Sequence, residues 1–241
     1  MKLGYSTITW GGVVGTPAGV TSIKDLFYRA AGSTVDAFHD IAKAGYSGTE
    51  VFDGNLLEYI DEPHKLSDVL EENKLTLVGV YTGANFIFDD IVAEEFSKIE
   101  RAAMMAATFG AECLVVGGGA QRVNGAIDGD FERLAAGLDR CSEIATSVGL
   151  RASYHPHLGT LAETPEAIER ILSLTSIRFC PDTAHLAGWR RQSRSANPTV
   201  WGPSCPRAPQ GLGCRDRKVP TAGRWRPRLC RHPAGDPKSR L

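Results

Sequence analysis

Two imidazoles stand two residues apart in the stretch SYHPHLGT, at His155 and His157. Alternate residues of an extended strand share a face, so both rings point the same way. Neutral imidazole binds Mn, Fe, Co or Zn, and a carboxylate completes a mixed nitrogen and oxygen set. Asp182 in CPDTAH offers that carboxylate just past a further apolar run, with His185 three residues on. Alone, Asp182 or Thr183 serves equally well as a helix cap. Beside two histidines one strand earlier, the ligand reading is the stronger, with His155 and Asp182 as the metal pair. Trp10, Glu50 and Tyr81 also fall at or near the ends of apolar runs. A carboxylate there can take a proton, and an aromatic ring can wall a pocket. The plainer readings are a strand-edge charge for Glu50, a core side chain for Trp10 and a surface residue for His157.

Groups so far apart in sequence meet only if the chain brings one end of each element to a common rim. Six short apolar runs have that potential: Leu3–Trp10, Gly48–Phe52, Leu75–Tyr81, Glu112–Gly118, Leu150–His157 and Ile177–His185. Their length, their Val, Leu and Tyr content and their glycine borders read as buried parallel strands. Helical patterns alternate with them. Phe131, Leu134, Leu138, Cys141, Ile144 and Val148 recur at steps of three and four, with Asp128 or Asp130 placed to cap the start and Gly149 to end it. Val35, Phe38 and Ile41 mark another helix closed by Gly45, and Thr164-Pro165-Glu166 opens a third. Strand-then-helix units at this spacing fit either a doubly wound sheet or a (β/α)8 barrel. Site candidates at several strand ends favour the barrel, whose strands deliver them to one mouth. The glycine-rich GGGAQ stretch at Gly117–Gln121 lacks the full fingerprint of a nucleotide loop.

The chain has 241 residues, 42% hydrophobic and 23% charged, which suits one α/β domain. No apolar run approaches the ~20 residues a membrane span needs. Met1–Trp10 does not read as a signal peptide, so a cytoplasmic location is expected. The net charge of −1 conceals a division. Residues 1–187 carry 14 Lys and Arg against 26 Asp and Glu, whereas residues 188–241 carry 13 against 2. The second segment also holds 8 of the 13 Pro and 3 of the 4 Trp. A nucleic-acid-binding reading of this basic segment fails because Pro and Gly interrupt any periodic face. Cys205, Cys214, Cys230 and His232 lack the paired spacing of a zinc knuckle. Cys113, Cys141 and Cys180 read as small buried hydrophobes.

The stretches GYSGTEVFDGN, YHPHLGTLAET and CPDTAHLA resemble the xylose isomerase-like barrel family of sugar phosphate isomerases and epimerases, nearest the inosose dehydratase branch. The resemblance covers residues 1–187. It implies an α/β fold, a (β/α)8 TIM barrel that is incomplete here at about six units. It also implies one divalent cation (Mn, Co, Mg or Zn), a small sugar or polyol substrate and a homo-oligomer. His155 and Asp182 match two family ligands, and His185 a residue that contacts substrate hydroxyls. Trp10, Tyr81 and His157 are further candidates for binding substrate. The reaction implied is proton transfer beside a carbonyl, with Glu50 or His155 moving the proton. Isomerisation, epimerisation or dehydration of a keto-inositol can follow from the same enolate. The family's seventh-strand His and eighth-strand Glu have no counterpart. Read one base out of register, the codons from Trp189 to Trp225 admit a His-Val-His-Leu-Lys-Asp stretch like that seventh strand. Residues 188–241 are therefore expected to be a frameshifted, disordered Arg- and Pro-rich tail, and the family reaction to be impaired. The rival expectation is a non-catalytic sugar-binding remnant.

Overall fold

The structure is a computed structural model that describes residues 3–10 and 27–183. His185 and the 188–241 segment lie outside the described residues. The described residues form six strands and six α-helices, in the order β1 Gly4–Ser6, α1 Thr34–Lys43, β2 Gly48–Phe52, α2 Asp53–Leu57, α3 Pro63–Glu72, β3 Thr76–Ala84, α4 Val92–Thr108, β4 Cys113–Gly118, α5 Asp130–Ser147, β5 Arg151–Tyr154, α6 Pro165–Leu174 and β6 Arg178–Phe179. All five pairings are parallel and the spatial order is β1 to β6 in sequence. A barrel wall adds each strand beside its predecessor in this way, whereas a doubly wound sheet reverses direction from its first strand. The barrel expectation therefore holds over the described residues, as six of the eight staves.

The helices form where the apolar stripes put them. Phe38 and Ile41 of α1 are fully buried, and the Ser33 hydroxyl accepts the Asp36 N–H at 3.1 Å as a cap. Thr164 caps α6 by accepting the Ala167 N–H at 3.2 Å, with Pro165 in the first turn. The start of α5 differs from expectation. Gly129 occupies the cap position without a side-chain bond. Asp130 turns inward instead, where Arg122 holds its two oxygens at 2.9 and 3.0 Å. A guanidinium fork from the preceding loop competes successfully with the helix's own N–H groups.

Strand ends depart from the apolar runs for local reasons. Of the Leu3–Trp10 run only Gly4–Ser6 pairs; Thr7–Thr9 forms a 3-10 turn, and the Trp10 N–H bonds back to the Thr7 carbonyl. β3 runs on to Ala84 because its last residues keep pairing with β4. β5 ends at Tyr154, two residues before Pro156, which has no N–H for the ladder. The main core lies between sheet and helices, around Leu77, Leu114, Leu138 and Tyr154. Cys141 is buried in it, while Cys113 and Cys180 are only half-buried. Among the described residues, no helix is long and apolar enough to cross a membrane.

One feature of the packing is polar. Asp53, wholly buried at the start of α2, lies 3.3 Å from Lys98 Nζ of α4, itself buried. The same carboxylate accepts the Tyr28 and Gly54 N–H groups and the Thr82 hydroxyl at 2.7–2.8 Å. Lys98 also donates to the Gly83 carbonyl. Burial pushes the Asp53 carboxyl up, and Lys98 with the other donors pulls it back. Removing one partner of such a pair leaves a charge stranded out of water. Lys98→Met is therefore expected to lower unfolding stability by about 3 kcal/mol or more in urea denaturation. A loss no larger than that of a surface lysine would contradict the pairing.

Candidate active site

Alternation along the strands gives the sheet a second face, turned away from the helices. Glu50 and Phe52 of β2 stand on it, as does Tyr81 of β3. Phe52 and Tyr81 belong to a small cluster with Tyr28 and Ala30, separate from the main core. A register shift between Thr49 and Glu50 leaves Val78 as an extra residue in β3, so Tyr81 faces this side beside Phe52.

Past the end of β5 the ladder continues for one bond, from the His155 N–H to the Val116 carbonyl at 2.8 Å. Past β6, the Cys180 N–H bonds to the Tyr154 carbonyl at 2.8 Å. These two bonds fix the heights of the chain segments that carry His155 and Asp182. Their side chains meet: His155 Nε2 lies 3.9 Å from Asp182 Oδ2, with both side chains partly buried. The His155 ring stands edge-on to Tyr81, with centroids 5.6 Å apart, and 5.9 Å from the His157 ring. His157 Nδ1 is 2.8 Å from the Leu158 carbonyl. A carbonyl only accepts, so Nδ1 donates and the neutral ring carries its lone pair on Nε2. The two histidines thus lie together as the spacing predicts, although they follow the strand and flank a proline.

Glu50 sits deeper on the same face. Its Oε2 lies 3.8 Å from where a Cβ would stand at Gly79. Burial pushes its carboxyl up to about 7, against the opposing effect of a hydrogen bond from the Ser6 hydroxyl. Burial chiefly raises the Tyr81 phenol and the Cys180 thiol, and the Glu50 charge adds to both. A carboxyl that titrates near neutrality is suited to take and return a proton.

Trp10 is not brought to this group. Its indole N–H donates to Asp40 of α1 at 3.1 Å, and its ring stands edge-on to Tyr5. His185 falls outside the described residues. Tyr28 was not among the residues singled out from sequence, because it lies in a segment without periodicity. Yet it packs edge-on to Tyr81 at 4.9 Å and stacks on Phe52 at 6.2 Å.

The 3.9 Å between His155 Nε2 and Asp182 Oδ2 is shorter than two metal–ligand bonds of about 2.1 Å laid end to end. An imidazole and a carboxylate are donors of the mixed type that a divalent cation accepts. Among the described residues, no group of three or more His, Cys, Asp or Glu is placed to hold a metal ion.

The sequence model of xylose isomerase-like TIM barrels matches residues 38–206. An inosose dehydratase of Lacticaseibacillus casei is 30% identical over 165 residues, 62% of this chain and 54% of that protein. An inosose dehydratase of Bacillus licheniformis is 29% identical over 198 residues, 76% of this chain and 63% of that protein. The chain thus spans about half to three-fifths of the length of these curated relatives. Among solved structures, a xylose isomerase-like TIM barrel protein of Mycobacterium smegmatis in complex with magnesium superposes with a TM-score of 0.54 at 15% identity, over 77% of this chain and 65% of that one. The 3-keto-D-glucoside 4-epimerase of E. coli gives 0.51 at 19%, over 67% of this chain and 70% of that one. At such identities these two likenesses concern the fold alone.

Glu50 makes the site measurable through stability. Its carboxyl is near 4.5 when unfolded and about 7 when folded, so the folded state holds the proton more tightly. Its favourable contribution is present below pH 4.5 and is lost as pH rises towards 7. Between pH 5 and 8, the urea midpoint of the wild type should fall relative to that of Glu50→Gln. A parallel pH dependence for the two proteins would show that Glu50 is not perturbed.

Proposed function

We propose, for a chain that belongs to the xylose isomerase-like TIM-barrel family, that the site moves a proton on the carbon beside a carbonyl of a sugar, sugar phosphate or keto-polyol. This is isomerase and epimerase chemistry. The observation that carries the reading is the shared face: a carboxyl titrating at about 7 stands below a histidine–aspartate pair at the strand ends. His155 and Asp182 would hold a divalent cation, Mn, Co, Mg or Zn. When bound, such a cation polarises the substrate carbonyl and acidifies the neighbouring C–H. Glu50 takes that proton as its carboxylate and returns it as the carboxylic acid, to another carbon or to another face of the same one. His155, if not engaged by the cation, is the second group able to exchange a proton there. The Tyr81 ring and the His157 Nε2 line the approach and orient hydroxyls.

Dehydration of a keto-inositol is the second reading, favoured by the curated relatives named inosose dehydratases. It begins with the same proton removal and ends with loss of the hydroxyl one carbon further on. Both readings are therefore tested by one exchange experiment.

The full chain is incubated in D2O with Mn2+ and either a keto-inositol or a ketose, and deuterium entry beside the carbonyl is followed by NMR. Slow exchange is expected with the wild type, whose sequence lacks counterparts of two family ligands, and it should fall by about a hundredfold or more in Glu50→Gln. His155→Ala and Asp182→Ala should each lose Mn2+ binding in equilibrium dialysis. Unchanged exchange in Glu50→Gln, or full Mn2+ binding by both metal-pair variants, would overturn these assignments.

A further inference from the structure

The aromatic cluster behind His155 contains more than an apolar wall. The Tyr28 and Tyr81 rings stand edge-on with centroids 4.9 Å apart, although they come from segments 53 residues apart. Tyr28 is held there by its own backbone. Its N–H is bound by Asp53 Oδ1 at 2.8 Å and its carbonyl by the Gly54 N–H at 2.9 Å. One turn on, Ala30 exchanges two bonds with the Asn55 amide at 2.8 and 3.0 Å. The segment from Tyr28 to Ala30 is thus stitched across the start of α2.

Two glycines make the space. A Cβ at Gly54 would stand 2.5 Å from the Tyr28 carbonyl oxygen, and one at Gly117 only 1.9 Å from the Tyr81 hydroxyl. The Tyr81 hydroxyl therefore rests against bare β4 backbone, beside the ring of His155. Two phenols brought side by side offer O–H groups to donate and lone pairs to accept. That is the complement of a hydroxyl on a polyol ring, which both donates and accepts.

We infer that Tyr28 and Tyr81 form a two-hydroxyl subsite that reads one hydroxyl of a cyclic polyol beside His155, with Tyr28 as its specificity-determining member. The subsite rests on the polyol reading given above, but it concerns recognition, so it can be separated from turnover. A site built around a hydroxyl discriminates strongly against a substrate that lacks it, because its buried polar groups are then left unpaired. Tyr28→Phe keeps the ring stack on Phe52 and the edge contact with Tyr81, and removes only the oxygen.

The test uses the full chain and two probes: myo-inositol, which has no carbonyl and cannot react, and a keto-inositol. Binding of myo-inositol is measured by calorimetry and turnover of the keto-inositol by NMR, for wild type and for Tyr28→Phe, with thermal melts to confirm that both fold. The expected result is roughly tenfold weaker myo-inositol binding in the variant, with KM raised more than kcat is lowered. The variant should also lose the wild type's preference for myo-inositol over a deoxy-inositol, a change that a purely structural role would not produce. Myo-inositol binding and discrimination unchanged in Tyr28→Phe overturn the subsite and leave the proposed reaction standing. Weakened binding by a protein whose wild type turns over no carbonyl substrate supports the subsite and overturns the reaction. A wild type that binds neither probe overturns both.

Discussion

A carboxylate and an ammonium, both shut away from water, hold the site end of this sheet together. Asp53 and Lys98 are each costly to bury alone. Their contact at 3.3 Å offsets that cost only because further groups satisfy the remaining hydrogen-bonding positions. Those groups are the architecture itself: the backbone of Tyr28 and Gly54, the hydroxyl of Thr82 and the carbonyl of Gly83. One ion pair thereby ties α2, α4, the end of β3 and the segment from Tyr28 to Ala30 to a single point. Glu95, one turn earlier on α4, does the same for the loop after β3 by accepting three N–H bonds from Asn85 and Phe86. That grip also holds Phe86 in a left-handed backbone conformation, unusual for a bulky side chain.

The consequence is a rigid rim on one side of the site. Tyr81 is the link. Its ring touches Phe52, Tyr28 and His155, so the position fixed by the ion pair reaches the imidazole through packed aromatic faces. The opposite side is set differently, by single backbone bonds beyond β5 and β6 that carry the ladder past the last regular residue. His155 and Asp182 owe their proximity to those bonds rather than to strand geometry proper.

The sequence made the wall of the barrel legible because each strand and helix carries a hydrophobic period that its burial requires. GTEVF coincides with β2, and the stripe from Phe131 to Ile144 coincides with the buried side of α5. The buried charges were not legible in the same way. Asp53 and Asn55 look like turn residues, and Glu95 and Lys98 like the polar side of a surface helix. A signal was nevertheless present: Glu95, Lys98, Ile99, Ala102 and Ala106 fall on one stripe of α4, so two charges occupy positions that should be apolar. The register shift beside Glu50 leaves no such trace, because an extra residue in a strand does not alter its composition. Trp10 shows the converse. Its place at the end of an apolar run suggested the mouth, but the run breaks into a 3-10 turn and delivers the indole to Asp40 instead.

The shape of the site depends also on matter that is missing. At Gly54 and Gly117, hydrogen atoms stand where every other amino acid places carbon, and the Tyr28 carbonyl and the Tyr81 phenol occupy the room so released. These two positions act as a mould rather than as contacts. A relative carrying alanine at either one could not seat the tyrosines in this way, and would have to build a differently contoured cup. When sequences of this lineage are sorted, that pair of glycines is the marker by which cups of this contour can be recognised.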